Sequence, residues 1–226
     1  SELVPPGSVE ALERGIRRAD ILSTMLPLLI RAGGATPLPP RRVADEPEAL
    51  RAALEEASEE ADLIVTTGGA SMGAADLVKD VLDDLGFVLD FWRIRMRPGS
   101  PVSFGRLSTI PVLGLPGNPA SCFTVFDLLV RPCLSILSGG SPVELRARAS
   151  LEGVPFRKNW RTQAIPARFS WEDDGSFKAS IEPFRPSGDP FGCVRGDGYV
   201  LIPSDATAQD VGVVELAFYG SGLRDP

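Results

Sequence analysis

The spacing of apolar and polar positions divides the chain into a first part rich in helices and a last part made of short strands. Up to residue 137, some stretches repeat apolar positions at helical spacing and others are short apolar runs, as in alternating helices and strands. The predicted helices cover Ile21–Arg31, Glu46–Glu59, Ala74–Leu85 and an apolar stretch that ends at about Leu137. The predicted extended segments cover Leu63–Thr67, Phe87–Met96, Val102–Phe104 and Val112–Leu115. This alternation predicts an α/β fold with an open, mostly parallel sheet and flanking helices.

The helical pattern stops at Ser138-Gly-Gly-Ser-Pro142, whose composition is typical of a linker. Beyond it, short apolar runs alternate with turns that contain Gly, Pro and Asp. They predict strands at Leu145–Leu151, Thr162–Trp171, Phe177–Phe184, Tyr199–Ile202 and Val213–Phe218. About 80 residues of this kind predict a small β-sandwich or β-barrel. We therefore expect an α/β domain over residues 1–139, without its first strand, and an all-β domain over residues 140–226.

Two of the predicted strands end in a glycine-rich loop that opens a helix. The first loop is Gly68-Gly-Ala-Ser-Met-Gly73, and the second is Pro116-Gly-Asn-Pro-Ala-Ser121. Backbone N–H groups at the start of a helix can hold an anion, and glycine lets a ligand approach the backbone closely. Two such loops in one domain indicate a ligand that contains phosphate or a similar oxyanion.

The composition further limits the kinds of partner and of reaction that we expect for this chain. The net charge is −7 and the basic residues are scattered, which argues against nucleic acid as a main partner. Without any histidine, a Ser-His-Asp hydrolase and a His-ligated zinc site are excluded. The three cysteines have no metal-binding spacing and are typical of core residues in a reducing compartment. We expect a cytoplasmic protein, because no signal peptide and no apolar run long enough to span a membrane are evident.

Several short motifs, in their order along the chain, resemble one family. They are Thr67-Gly-Gly-Ala-Ser-Met-Gly73, Asp76, Lys79, Phe91-Trp92, Arg97-Pro-Gly99, Phe104-Gly105 and Gly114-Leu-Pro-Gly-Asn-Pro-Ala-Ser121. Over residues 1 to about 140 the chain resembles the C-terminal part of molybdopterin molybdenumtransferases, the family that includes the E domain of gephyrin. The strand-rich part resembles the last domain of the same family.

The resemblance implies an enzyme of molybdenum cofactor biosynthesis. Such enzymes bind adenylylated molybdopterin and molybdate, use Mg²⁺, release AMP and pass molybdenum to the dithiolene. The resemblance also implies a homodimer and contact with other cofactor-biosynthesis proteins. The lack of a long apolar run predicts no membrane partner.

The same resemblance assigns roles to particular residues. Those implied to bind the pterin are Gly68, Gly69, Ser71, Gly73, Pro116, Gly117, Asn118 and Ser121. Those implied to be catalytic are Asp20, Asp45, Asp76, Lys79 and Arg97, and those implied to bind the metal are Glu2, Asp20 and Asp45.

Purely structural roles remain open for these residues. Asp20 and Asp45 each precede a predicted helix, where an aspartate caps the backbone. Asp76 lies where an acidic group complements the helix dipole. Lys79 is open to the role of a solvated helix-face lysine that pairs with Asp80 or Asp83.

Three departures from the family pattern lead to an alternative function. Leu22 and Ser100 replace polar and cationic residues of the family, and Pro166 falls near a basic position, with Arg168 close by. The alternative is a molybdopterin-binding or scaffold protein with weakened catalysis. Another is a relative of the competence-damage domains that act on pyridine nucleotides, which share the first loop but differ at the second and lack the β tail.

Overall fold

A computed structural model describes residues 3–4, 18–68, 77–141, 146–152, 159–181, 193, 195–206 and 213–218. The chain divides into two compact units, Ser1–Trp92 with Val102–Gly117 and Arg93–Pro101 with Asn118–Pro226. This division groups the helix before residue 139 with the strands after it. The boundary predicted between residues 139 and 140 marks a change of sequence pattern and stays a prediction.

The first unit consists of helices around a four-stranded sheet. Its strands and helices are β1 Leu3–Val4, β2 Arg18–Ala19, α1 Leu22–Ala32, α2 Pro47–Glu60, β3 Ile64–Thr67, α3 Leu77–Asp84, β4 Phe87–Trp92, β6 Ser103–Leu107 and β7 Ile110–Leu115. The strand between β4 and β6 in sequence, β5 Met96–Arg97, belongs to the second unit. β1 and β2 form a separate parallel pair.

The four-stranded sheet has the order β3-β7-β6-β4. Only β3 and β7 are parallel, whereas β7–β6 and β6–β4 are antiparallel. The α/β prediction is confirmed, but the sheet is mixed rather than mostly parallel, because a tight turn joins β6 directly to β7. That turn contains Ser108 at φ 57° and was not recognised from the sequence. Helices α2 and α3 cover one face through a core that includes Leu54, Val81, Phe87 and Val112.

The second unit combines one interrupted helix with a closed ring of strands. Its elements are β5, α4 Pro119–Val125, a π-helical segment Phe126–Val130, α5 Arg131–Leu137, β8 Arg146–Glu152, β9 Thr162–Trp171, β10 Phe177–Ile181, β11 Gly198–Ile202 and β12 Val213–Phe218. The strand order β10-β8-β12-β11-β9 closes through an additional β9–β10 pairing, and β5 adds to the far side of β9. This ring agrees with the barrel form of the predicted all-β domain.

Local differences from the predicted bounds have simple causes. Helix α2 begins at Pro47, with Glu46 rather than Asp45 as its N-cap residue and no side-chain cap bond. The prediction that Asp45 caps this helix is therefore wrong, since Pro47 already supplies the first-turn geometry without an N–H to satisfy.

The helix over Pro119–Leu137 is long and apolar enough to cross a membrane by length and composition, with mean hydropathy 1.6. In this fold it is a core helix, since Val125, Phe126 and Val130 have no solvent exposure. A buried Asp127 and its partner Arg131 lie on the same helix. Length and composition alone do not distinguish a core helix from a membrane span, and 44% of the most apolar window of this helix is buried.

We expect Gly105→Ala to lower the free energy of unfolding by about 1–3 kcal/mol, because it overpacks the contact between β4 and β6. A Cβ at residue 105 would lie 2.3 Å from the carbonyl oxygen of Val88 and 2.4 Å from the ring of Phe87. The matched control is Gly117→Ala, where nothing lies within 4 Å and the change should stay within about 0.5 kcal/mol. Urea unfolding measures both, and equal effects would contradict the packing argument.

Candidate functional site

The parallel pairing of β3 with β7 brings the starts of both glycine-rich loops to one edge of the first unit's sheet. Thr67 pairs with Leu115, so Gly68 and Pro116 follow neighbouring strand ends. Gly68 has φ 84°, which favours glycine, and nothing lies within 4 Å of the position that its Cβ would take. Gly117 is similarly open. This edge can therefore receive a ligand close to the backbone.

Two hydroxyl side chains stand beside the same strand ends. Gly114 lies between Thr66 on β3 and Ser103 on β6 in the register of the sheet. A Cβ at residue 114 would be 2.3 Å from Ser103 Oγ and 3.5 Å from Thr66 Oγ1. Glycine at this position thus makes room for the Ser103 hydroxyl. We did not single out Thr66 or Ser103 from the sequence, since only strand pairing brings them together.

The second loop is ordered by its own asparagine. Asn118 Oδ1 accepts a hydrogen bond from the Ser121 N–H at 3.2 Å, and the Asn118 carbonyl accepts one from the Cys122 N–H at 2.8 Å. Pro119 occupies the first helical position, where no N–H is required. The structure therefore gives Asn118 the capping role, and the Ser121 N–H is committed to that cap.

The turn after β5 packs against the helix that the second loop opens. Gly99 has φ 100°, and a Cβ there would lie 2.4 Å from Val125 Cγ2 and 3.7 Å from the Ser121 carbonyl oxygen. Ser100 Oγ donates to the Ile94 carbonyl at 3.0 Å, and the Ile94 N–H donates back to the Ser100 carbonyl at 3.1 Å. These contacts, all inside the second unit, fix the turn beside Ser121.

Arg97 lies at the start of this turn on β5, with an exposed side chain. Its backbone pairs with Gln163 of β9. The exposed cation of Arg97 therefore lies in the unit that also contains Asn118 and Ser121 of the second loop.

Asp20 is buried and fully engaged by protein groups. Its carboxylate accepts hydrogen bonds from the Ser23 N–H at 3.0 Å, from Ser23 Oγ at 2.6 Å and from Arg42 Nη2 at 2.6 Å. Burial raises the pKa of Asp20, but the bonds from Ser23 and then from Arg42, with its charge, hold that pKa below its usual value. Asp20 therefore stabilises the first turn of α1, and its role as a metal ligand stays a prediction.

The described donor groups do not fit a divalent-metal site. Among residues 18–68, 77–141 and the later described segments, no three acidic or cysteine side chains are grouped so as to hold a metal ion. The Asp20 carboxylate is paired with Arg42, and Asp45 is an exposed residue before α2. Glu2 lies outside the described residues.

The remaining predicted residues differ in how far the structure describes them. Lys79 on α3 forms an ion pair with Asp83, one of the structural alternatives left open by the sequence. Outside the described residues are Gly69, Ser71, Gly73 and Asp76, whose predicted roles stay predictions.

The structure describes the surroundings of all three residues that depart from the family pattern. Leu22 is a buried residue in the first turn of α1. The hydroxyl of Ser100 closes its turn onto Ile94. Pro166 is fully buried on β9, opposite Tyr199 of β11. An apolar environment of this kind suits proline and not a basic side chain.

The cysteines offer no reactive thiolate in the described part of the chain. All three are free, and Cys122 and Cys193 are buried. Burial raises the pKa of Cys122 to about 12, so its thiol stays protonated at neutral pH. The prediction that all three cysteines are core residues is confirmed for Cys122 and Cys193, whereas Cys133 is only half-buried.

Comparison with known proteins matches the motifs to one family. Residues 9–135 match a family described as "Probable molybdopterin binding domain". A molybdopterin molybdenumtransferase of Haemophilus influenzae is 46% identical over 83 residues, which are 37% of this chain and 20% of that protein. One of Bacillus subtilis is 34% identical over 143 residues, or 63% of this chain and 33% of that protein.

A solved structure extends the similarity over both units. The molybdopterin biosynthesis moea protein from Pyrococcus horikosii superposes with a TM-score of 0.74 and 29% identity, over 98% of this chain and 52% of that chain. The chain thus spans about half the length of that structure and about a third or less of the two transferases. These matches confirm the resemblance predicted from the motifs.

We expect Asp20→Asn to lower the free energy of unfolding by about 1–3 kcal/mol at neutral pH, because it removes a charged cap and an ion pair. The folded-state pKa lies below the unfolded value of 3.8, so the carboxylate stabilises the fold above that pH. This contribution is lost as the pH falls through the folded-state pKa.

The difference between Asp20→Asn and the unsubstituted protein should therefore shrink below about pH 4. Urea unfolding between about pH 7 and about pH 3 measures it, with the exposed Asp62→Asn as the matched control. A difference that does not change with pH would contradict the assignment.

Proposed function

The chain belongs to the family of probable molybdopterin-binding domains, and on this basis we propose that it binds adenylylated molybdopterin in molybdenum cofactor biosynthesis. The observation that supports this most directly is the parallel β3–β7 pair, which sets Gly68 beside Pro116 and Gly117. Both loops belong to the motifs that match the family. A pterin phosphate is an anion of the kind that such backbone-lined loops hold.

The proposed reaction is that of a molybdopterin molybdenumtransferase, the name of the two similar enzymes. Water cleaves the phosphoanhydride bond between the pterin phosphate and AMP, and AMP leaves. The two dithiolene sulfurs then bind the molybdenum of molybdate, and one molybdate oxygen leaves as water with the two thiol protons. In this proposal the two loops hold the phosphates, with Gly69, Ser71 and Gly73 in the first loop. Arg97 has a catalytic role as a cation through the resemblance alone.

Asp45, Asp76 and Lys79 have their catalytic roles in this proposal through the resemblance alone. The resemblance also implies Mg²⁺ with Glu2, Asp20 and Asp45 as its ligands, but the described donor groups do not fit a divalent-metal site. No step is assigned to the ion, because the Asp20 carboxylate is already engaged by Ser23 and Arg42.

A second candidate is a molybdopterin-binding protein with weakened turnover. One observation favours it: the Ser100 hydroxyl is used inside its own turn, where the family has a cation that could contact an oxyanion. Losing one such donor or charge typically costs ~10²–10³ in rate and leaves much of the binding intact. The two candidates differ in AMP release, not in affinity.

The assembly implied by the resemblance and the location expected from the sequence complete the proposal. We propose a cytoplasmic homodimer that meets other cofactor-biosynthesis proteins. Light scattering on the purified chain measures the oligomeric state, and a strictly monomeric protein would contradict the dimer.

We expect adenylylated molybdopterin to bind the protein in calorimetry, and AMP to appear when molybdate and Mg²⁺ are added. Binding without AMP release would support the second candidate, and absence of binding would contradict both. AMP is quantified by chromatography of the reaction mixture. Inorganic phosphate alone serves as the low-affinity reference ligand.

We expect Asn118→Ala to weaken pterin binding by about tenfold, because the loop loses the cap that orders Ser121. The matched control is Asn159→Ala, which also removes an asparagine oxygen that accepts a backbone N–H, that of Arg161 at 3.1 Å. The control should bind as tightly as the unsubstituted protein. Equal weakening in both variants would contradict a specific role of the second loop.

A further inference from the structure

A buried carboxylate in the first unit is paired with an arginine of the same chain. Asp20 lies between β2 and the start of α1, and its side chain is 5% exposed. Arg42 donates from Nη2 to Asp20 Oδ2 at 2.6 Å. The resemblance assigns Asp20 to both the catalytic and the metal-binding residues. The groups around this carboxylate therefore determine which cation it can hold.

Both oxygens of the Asp20 carboxylate already accept hydrogen bonds. Oδ1 accepts from the Ser23 N–H at 3.0 Å, and Oδ2 accepts from Ser23 Oγ at 2.6 Å as well as from Arg42. Mg²⁺ requires oxygen ligands at about 2.0–2.1 Å in a near-octahedral arrangement. An ion bound to Oδ2 at such a distance would have to displace the guanidinium of Arg42.

The residues that follow Asp20 in sequence supply no further ligand from their side chains. Ile21 and Leu22 are apolar, and Leu22 stands where the family has a polar residue. The Ser23 hydroxyl is used as a donor to the carboxylate. Among the residues that the structure describes, no three acidic or cysteine side chains are grouped so as to hold a metal ion. A single carboxylate surrounded by N–H and O–H donors suits a guanidinium and not a divalent ion.

Arg42 is held in this position by the segment that contains it. Its neighbour Arg41 pairs with two carboxylates of α2, Glu56 at 2.5 Å and Glu60 at 2.8 Å. The two successive arginines therefore connect α2 with the start of α1. A buried carboxylate without a counterion is costly, and here the chain itself supplies the cation.

We propose that the Arg42 guanidinium takes the place of a divalent metal ion at Asp20, so that this carboxylate does not bind Mg²⁺. The inference rests on the proposed function, because only the resemblance assigns Asp20 to a metal. It concerns Asp20 alone, and a divalent ion bound through other residues is compatible with it. The positive charge at this position is then part of the fold and needs no added ion.

The first test measures whether Asp20 contributes to metal binding. Mn²⁺, which prefers the same kind of oxygen ligands as Mg²⁺, is titrated into the protein, and the free ion is measured by electron paramagnetic resonance. We expect the Mn²⁺ affinity of Asp20→Asn to stay within about twofold of that of the unsubstituted protein, and an absence of binding in both also agrees with the inference. A loss of about tenfold in Asp20→Asn, without a loss in the exposed control Asp62→Asn, would overturn it.

The second test removes the guanidinium. Arg42→Met keeps the aliphatic stem and frees the Asp20 carboxylate, so we expect the Mn²⁺ affinity to rise about tenfold, which corresponds to one charge-assisted hydrogen bond. The rise should be absent when Asp20→Asn is combined with Arg42→Met. Arg42→Lys keeps the charge and should keep the low affinity of the unsubstituted protein.

The matched control for Arg42→Met is Arg51→Met. It removes a guanidinium that donates to another aspartate, Asp84 Oδ2 at 2.9 Å, and should leave the Mn²⁺ affinity unchanged. An Arg42→Met variant without the rise, or with a rise that persists in the absence of Asp20, would overturn the inference. Circular dichroism checks that each variant is folded, and if Arg42→Met does not fold, the comparison of Asp20→Asn with the unsubstituted protein decides.

These outcomes are independent of those that test the proposed function. Both titrations use Mn²⁺ alone, without pterin or molybdate. If the unsubstituted protein binds no adenylylated molybdopterin, the proposed function fails, and the Mn²⁺ affinities still decide whether Arg42 replaces the metal. If the pterin binds but Asp20→Asn loses Mn²⁺ affinity, only the inference about Arg42 fails.

Discussion

The parallel pairing of β3 with β7 is the constraint on which the candidate site depends. These strands are separated in sequence by α3, β4, β5 and β6, yet their ends lie side by side with Thr67 opposite Leu115. A side chain at residue 114 would collide with Ser103, so the register requires glycine there. The two loops are neighbours because of this one register, and a slip by one residue would turn the side chains at the strand ends to the other face.

A different kind of constraint orders the second unit. Apolar burial gives the helix and the ring of strands their stability, but apolar contacts tolerate small shifts along a helix. The ion pair of Asp127 and Arg131 is directional, and leaving either charge without its partner in a buried place is costly. Buried polar groups of this kind lower the stability somewhat, but they fix the position of the helix. A site built from a loop and a turn needs such a fixed position.

Local signals made much of the fold predictable. The Pro-Gly-Asn-Pro motif gave the cap at Asn118, and the strand bounds at Thr162–Trp171 agree with those predicted. The failures concern partners distant in sequence. Nothing near Asp20 indicated that Arg42, 22 residues away, would pair with it. The turn from β6 to β7 was missed because it has no glycine in the left-handed position.

From the sequence, only the backbone loops of the candidate site could be predicted, and not the surroundings of its charged side chains. The glycine loops depend on strand ends, which sequence patterns locate, whereas the surroundings of charged side chains depend on tertiary packing. Asp127 and Arg131 have the four-residue spacing of a helical ion pair, which was a usable signal.

The described ion pairs also differ in how easily their charged side chains can be released to bind a ligand. Lys79 and Asp83 form a partly exposed pair, and opening such a pair costs only about 0–1 kcal/mol. A bound phosphate can compete for Lys79 at that cost. Asp20 would give up three hydrogen bonds, two of them within the first turn of α1, in a buried place, at several times that cost. Lys79 is therefore a candidate for contact with an anion at little cost, whereas Asp20 stabilises the first turn of α1 and would leave that role only at a high cost.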